Sequence, residues 1–278
     1  MTATSRPTRV CVAQVGPDLG RVDENCALVA ATLSEAVAAG ADVVVLPELA
    51  TCGYVFTSAE QARQAAISVD DPRLEAWSRA LAQRPGSVAV VGFAELHGDR
   101  VFNSALVLDG TGVLGTYRKV HLWDRERLWF SPGEEPPLLV DTAHGRLGVM
   151  ICYDMEFPEW TRLAALGGAD LLTLPTNWPH FPRPEGERVA EVGIAQATAR
   201  MNHMAIAFAD RSRDESGVAW SMASGIVDAD GWLRASVGEG AGLATAELDL
   251  AASRDKSQGT VTDLFGDRRP DLYGGLVR

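Results

Sequence analysis

The stretch ADVVVLPE, residues 41–48, decides the fold. From Ala41 to Pro47 only Asp42 is polar, and the run has the length of a strand rather than of a helix. A strand with no polar face is one buried on both faces, as in a sheet covered by other layers. Working outward, the Ala-rich segment Glu24–Ala39 predicts a helix capped by Asp23, with Glu24 in its first turn. Val10–Val15 predicts a strand before that helix. Downstream, a helix is predicted over Pro72–Gln83 and a strand over Ser87–Glu95.

The same alternation runs through the rest of the chain. Asn103–Leu108 and Val113–Lys119 flank Asp109-Gly110 and predict a hairpin. Leu138–Val140 and Arg146–Cys152 predict another. Helices are predicted over Glu159–Leu166 and Arg188–Asn202, and strands over Ala169–Leu174, Met204–Ala209, Ser224–Val227, Leu233–Val237 and Leu243–Leu248. A dozen strands mixing hairpins with helical crossovers rarely fit one open sheet, so two packed mixed sheets with helices outside are expected.

Composition limits the function. The 278 residues carry 25 Lys and Arg against 37 Asp and Glu, a net charge of −12. That balance argues against nucleic acid or an anionic membrane as a partner, since either requires a basic face. No apolar run approaches the ~20 residues of a spanning helix. The start MTATSRPTRV has no apolar core, so no secretory signal is read there. Cys11, Cys26, Cys52 and Cys152 are too few and too scattered for a disulfide scaffold or a CxxC metal site. A reduced, cytoplasmic protein is expected.

Three strands end in chemically suggestive residues. One ends in Pro47-Glu48, one in Tyr117-Arg118-Lys119 and one in Ile151-Cys152-Tyr153-Asp154. Strand C-terminal ends are where α/β sheets place ligands. A thiol at a strand-to-helix junction faces backbone N–H groups that favour a thiolate and an oxyanion, although a free Cys is more often an inert buried one. A carboxylate at the mouth of an apolar strand has its pKa raised toward the range of a general base, or else stays solvated. Arg118-Lys119 also reads as an exposed basic pair. No GxSxG elbow, HExxH zinc site or Walker loop occurs.

The blocks VVLPEL (44–49), YRKVHL (117–122) and GVMICYDMEFPE (148–159), in this order, resemble the three signature blocks of the nitrilase superfamily, the carbon–nitrogen hydrolases. SPG (131–133), PTNW (175–178) and ARMN (199–202) extend the likeness over roughly residues 9–250. The resemblance implies a four-layer αββα sandwich with two central mixed sheets, spanning 1–278 as one domain; the tail 253–278, which holds Pro270 and several charges with little periodicity, reads as a C-terminal extension docking at an oligomer interface. It implies Glu48 as general base, Lys119 as oxyanion-stabilising cation and Cys152 as nucleophile, with Glu126 as a second carboxylate. The Tyr153 N–H would complete the oxyanion hole. Such chemistry needs no metal or organic cofactor.

The segment HLWDRERLWF (121–130) and the Tyr153-Asp154 pair after the cysteine look more like the simple amidases than the nitrilases proper. The expected substrate is therefore a small linear amide. A nitrile or N-carbamoyl compound is the alternative, and a catalytically silent binding protein is the alternative of another class. Trp123, Trp129, Phe130, Phe181, Phe56, Tyr54 and Trp178 are candidates for the pocket wall, Tyr54 and Trp178 foremost, with Asn177 beside them. Arg183, Arg188 and Arg211 are candidates for a substrate carboxylate but read better as solvated surface arginines. The resemblance also implies a homo-oligomer, with Glu159–Leu166 and the helix around Gln196 at its interface.

Overall fold

A computed structural model describes residues 6–277. The first half of the chain forms β1 (Thr8–Gln14), α1 (Val22–Ala38), β2 (Val43–Val45), α2 (Ala59–Gln64), α3 (Leu74–Ala82), β3 (Val88–His97), β4 (Arg100–Asp109), β5 (Gly112–Arg118) and α4 (Glu126–Trp129). The second half forms β6 (Leu138–Thr142), β7 (Gly145–Val149), α5 (Pro158–Leu166), β8 (Leu171–Pro175), α6 (Ala190–Asn202), β9 (Ala205–Ala209), β10 (Gly225–Val227), β11 (Leu233–Ser236) and β12 (Gly242–Leu248).

The strands make two six-stranded sheets, ordered β12-β1-β2-β3-β4-β5 and β11-β10-β9-β8-β7-β6. In the first, β1–β2 and β2–β3 are parallel and the other pairs antiparallel. In the second, β7–β8 and β8–β9 are parallel and the rest antiparallel. The two sheets thus repeat one pattern, and β12 fills in the first sheet the place that β6 holds in the second. Both sheets are mixed, as the interleaving of hairpins with helical crossovers predicts.

Period-2 alternation explains the run at 43–45. Val10, Val12, Val43, Val45, Val88 and Val90 share a core with Leu147, Val149 and Leu171 of the facing sheet. Cys11, Ala13, Val44, Ala89 and Val91 point the other way, onto Val29 and Leu33 of α1 and Trp77 and Leu81 of α3. The second sheet carries α5 and α6 through Ala164, Val192, Ala195 and Ala199. Each fully buried Val or Leu contributes about 1.5–3 kcal/mol, so this double coverage is the main stabilising term. The layers are helix, sheet, sheet, helix: an αββα sandwich.

Several boundaries differ from the sequence reading. Helix α1 begins at Val22, with Arg21 at its cap and no side-chain cap bond, so Asp23 lies inside the first turn beside Glu24. Both acids still complement the helix dipole. The strand expected to run to Cys152 stops at Val149, and Cys152 opens a 3₁₀ turn over Cys152–Glu156. Strands β3 and β4 are longer than expected and pair directly from His97–Arg100 to Val88–Asp109, because polar flanks hid a continuous ladder. The short helices α2 and α4 carry too few turns for a periodic signal. Among the described residues no helix is long and apolar enough to cross a membrane.

Candidate active site

Glu48 follows β2 and is fully buried. It reaches the site by crossing over β3 at Gly92, where an added Cβ would lie 2.5 Å from Glu48 Cα and also strike Pro47 O. Only glycine permits this approach. The next residue, Leu49, takes a left-handed φ of 51° as the chain turns away. The Glu48 N–H donates to Thr176 O beyond β8, at 3.3 Å, so the loop is tied to both sheets.

Lys119 follows β5 and is also fully buried. Its N–H donates to Asn103 O at 2.8 Å, extending the β4–β5 ladder by one residue. Its carbonyl accepts from Gly133 N at 2.8 Å, and a Cβ on Gly133 would strike Arg118 O. The ammonium donates to Glu48 Oε1 at 2.7 Å and to Glu126 Oε1 at 2.8 Å. Glu126, in the first turn of α4, further accepts from the Tyr54 hydroxyl on Oε1 and from Trp123 N on Oε2 at 3.0 Å. Asn103 Nδ2 donates to Glu48 Oε1 at 2.7 Å.

Cys152 has a left-handed φ of 48°, a strained state for a residue with a Cβ. Its Sγ lies 3.8 Å from Asn177 O, and Asn177 Nδ2 donates to Glu48 O at 2.8 Å. The loop after β8 therefore bridges thiol and carboxylate. Asp154 locks the turn: it accepts from Ile151 N (3.1 Å), the Tyr117 hydroxyl (2.8 Å) and His121 N (3.0 Å), and His121 Nδ1 lies 2.7 Å away. One buried carboxylate thus joins the chain flanking Lys119 to the chain flanking Cys152.

Burial sets the electrostatics. It pushes Glu48 up to about 7, the Lys119 charge opposing and the Glu126 charge adding. The Cys152 thiol is held well above its usual range by burial and the Glu48 charge, against Lys119. For Lys119 burial pulls downward, but Glu126 and Glu48 outweigh it and keep the ammonium charged. The Tyr54 hydroxyl is pushed up by burial and by Glu126, so it stays a donor. Two carboxylates and one ammonium share a buried space. Among the described residues no group of three or more His, Cys, Asp or Glu side chains is placed to hold a metal ion.

Beside Glu126 lies a cavity of about 220 Å³, walled by Tyr54, Phe56, Trp129, Phe130, Pro179 and Trp220, with Trp123 and Val218 also at its edge. Tyr54 stands edge-on to Trp220, with centroids 5.0 Å apart. Of the aromatic candidates, Tyr54, Phe56, Trp123, Trp129 and Phe130 meet here. Trp178 instead packs on Phe208 in the sheet core, and Phe181 is exposed. Tyr153 is half-buried, edge-on to Phe157.

Arg211 corrects an expectation. It is no surface residue but wholly buried, paired with Glu215 Oε2 at 2.7 Å, its guanidinium over the Trp220 ring. Glu215 Oε1 accepts from Tyr54 N at 2.8 Å and Val55 N at 2.5 Å. This pair holds the Tyr54 loop rather than facing solvent. Arg183 and Arg188 are exposed, as read. The sequence reading passed over Asn103, Asp154, Glu215 and Trp220. Asn103 alone had a local signal, a polar residue on the inward register of an apolar strand.

Comparison with known proteins bears on the family and the fold. The carbon–nitrogen hydrolase family model matches residues 9–257. A nitrilase of Pyrococcus abyssi is 33% identical over 268 residues, covering 95% of this chain and 98% of its own. A mutant of the Nesterenkonia AN1 amidase from the nitrilase superfamily superposes with a TM-score of 0.80 at 27% identity, over 98% of this chain and 97% of that one. Another mutant of that amidase, with acrylamide added at its active-site cysteine, gives a TM-score of 0.78 at 27% identity over 97% and 99% of the two chains. The chain belongs to the carbon–nitrogen hydrolase family.

Proposed function

We propose that this protein is an amidase that hydrolyses a small, uncharged linear amide through a thioester on Cys152. The observation that carries the reading is the buried row Glu48–Lys119–Glu126, with Lys119 Nζ 2.7 and 2.8 Å from the two carboxylates, beside a thiol held in a left-handed turn. Glu48, poised at about 7, takes the Cys152 proton as sulfur attacks the amide carbon. Lys119 and the Tyr153 N–H stabilise the oxyanion, strongly so where water is excluded. Glu48 returns the proton to the departing nitrogen and ammonia leaves. Water, deprotonated by Glu48, then attacks the thioester; the acid departs and the thiol recovers its proton. Glu126 holds Lys119 in line, and its bond from Tyr54 ties that row to the cavity wall.

The aromatic walls beside Glu126 support a flat or short apolar acyl group, with Tyr54 the wall residue nearest the chemistry and Asn177 bracing Glu48. Trp178 packs on Phe208 and is not one of the residues walling this cavity. A reducing, cytoplasmic setting suits a free nucleophilic thiol. The protein acts as a homo-oligomer through α5 and α6, which leave Leu163, Leu166 and Met201 exposed. Residues 253–277 form an extension beside α5, where Arg162 and Lys256 flank the Phe265 ring.

The test is ammonia release from acetamide, butyramide, benzamide, benzonitrile and an N-carbamoyl amino acid, with Cys152→Ala as control. Release from amides alone, absent in the control, is expected. Preferential release from the nitrile, which the name of the P. abyssi relative motivates, or from the carbamoyl compound would replace the substrate class while keeping the thioester. Silence on all five substrates would overturn the reading.

A further inference from the structure

Glu48 is held asymmetrically. Its Oε1 accepts two hydrogen bonds, from Lys119 Nζ and from Asn103 Nδ2, both at 2.7 Å. Its Oε2 is buried and has no partner among the described residues. Asn103 is itself fully buried, and its Oδ1 is likewise unpartnered. A buried amide oxygen without a donor costs about 1–3 kcal/mol. An apolar residue of similar size would avoid that cost, so packing alone does not account for an amide at this position.

Topology shows what the amide does. Asn103 lies on β4 and Glu48 beyond β2, with β3 between them. The bare backbone of Gly92 lets Glu48 cross β3. The Asn103 carbonyl meanwhile accepts from Lys119 N, so one residue contacts the carboxylate with its side chain and the lysine with its main chain. Two donors on one oxygen fix the carboxylate's rotation about its last bond. They also draw negative charge to Oε1 and leave Oε2 as the free acceptor.

We propose that Asn103 is a positioning residue that, with Lys119, pins Glu48 Oε1 and thereby reserves Oε2 as the atom that takes and returns the proton. This rests on Glu48 being the general base. The other charged or titratable groups that act on Glu48 or feel it are Lys119 after β5, Glu126 on α4, Cys152 in its 3₁₀ turn and Tyr54 beyond β2. None of these contacts is removed by changing the Asn103 side chain, whose main-chain bond to Lys119 persists in any substitution.

The experiment compares wild type, Asn103→Leu, Asn103→Ala and Glu48→Gln. It follows kcat and KM from pH 5 to 9 for ammonia release from acetamide, butyramide and benzamide, together with the Tm. A donor to the charged carboxylate favours its ionised form, so removing it raises the pH at which Glu48 ionises. The acid limb of kcat/KM is expected to move up by about one pH unit, with kcat on the plateau falling roughly tenfold as the carboxylate loses its fixed rotation. KM is expected to stay within about twofold, and the Asn103→Leu Tm at or above wild type.

An unmoved acid limb in both Asn103 variants, with Glu48→Gln inactive, would overturn the positioning role and leave the base intact. Loss of folding in both variants would make Asn103 a packing residue and overturn it too. Wild-type rates in Glu48→Gln would instead overturn the base reading and the proposal with it.

Discussion

Lys119 Nζ sits 2.7 Å from Glu48 Oε1 and 2.8 Å from Glu126 Oε1, with all three side chains buried. With both carboxylates ionised the row carries one net negative charge inside the protein. Burial raises Glu48 to about 7, with the Glu126 charge adding and the Lys119 charge opposing, so this carboxyl exchanges its proton near neutral pH. The two acids are not equivalent. Glu126 also accepts from Tyr54 and Trp123 N, whereas Glu48 Oε2 has no partner among the described residues.

Stability is expected to respond in opposite directions to loss of the two signs of charge. Lys119→Met leaves two buried carboxylates facing each other and is expected to cost about 3–5 kcal/mol at pH 8. Glu48→Gln leaves Lys119 matched one-to-one with Glu126 and is expected to raise the Tm at pH 8. Denaturant titration of both variants checks the contrast, and a stabilised Lys119→Met would refute it.

The pH dependence of stability follows from the same carboxyl. Its folded value, about 7, lies above the ordinary value of 4.5, so the folded state binds the proton more tightly than the unfolded state. The resulting contribution is fully present below the unfolded value and is lost as pH rises through about 7. The wild-type Tm, relative to that of Glu48→Gln, is expected to fall between pH 5 and 8. A constant difference between the two proteins would show that Glu48 does not titrate there.

Activity is expected to follow the complementary course. In the proposed mechanism Glu48 acts as the base only when ionised, so kcat/KM for amides should fall as pH drops below about 7. Cys152→Ala should lower turnover by at least about a thousandfold at every pH while leaving the Tm within a few degrees. Ammonia release and calorimetry on the same preparations separate the two effects.

Gly92→Ala tests the crossing of β3. The new Cβ would meet Pro47 O and lie 2.5 Å from Glu48 Cα, both backbone groups that cannot rotate away. A stability loss of about 1–3 kcal/mol is expected. The loss of kcat should be larger than this destabilisation explains, because Glu48, the proposed base, is itself displaced. Wild-type kcat in a folded Gly92→Ala protein would show that the close approach is unimportant.

Glu215→Gln tests the wall. It removes the ion-pair partner of the buried Arg211 and weakens the acceptor that holds Tyr54 N and Val55 N. A cost of about 3–5 kcal/mol is expected, with a rise in KM for benzamide from the loosened Tyr54 loop. Circular dichroism melts and steady-state kinetics check both parts.

Local sequence patterns determined much of this molecule. The period-2 alternation of Val10–Val15 and the two-faced apolar run at 41–47 required a sheet covered on both sides, and the three motif blocks brought Glu48, Lys119 and Cys152 to strand ends. Such features depend on neighbours within a few residues, which a sequence displays directly. Only the tertiary structure decided what those residues face. Asn103 lies 55 residues from Glu48 along the chain, and Asp154 lies 37 from Tyr117. Arg211 looks like any surface arginine until Glu215, Trp220 and the Tyr54 loop close over it. Trp178 lies next to a site residue in sequence, yet its ring turns into the core toward Phe208. Hydrogen bonds and burial between distant segments depend on how the two sheets stack, and no local periodicity encodes that stacking.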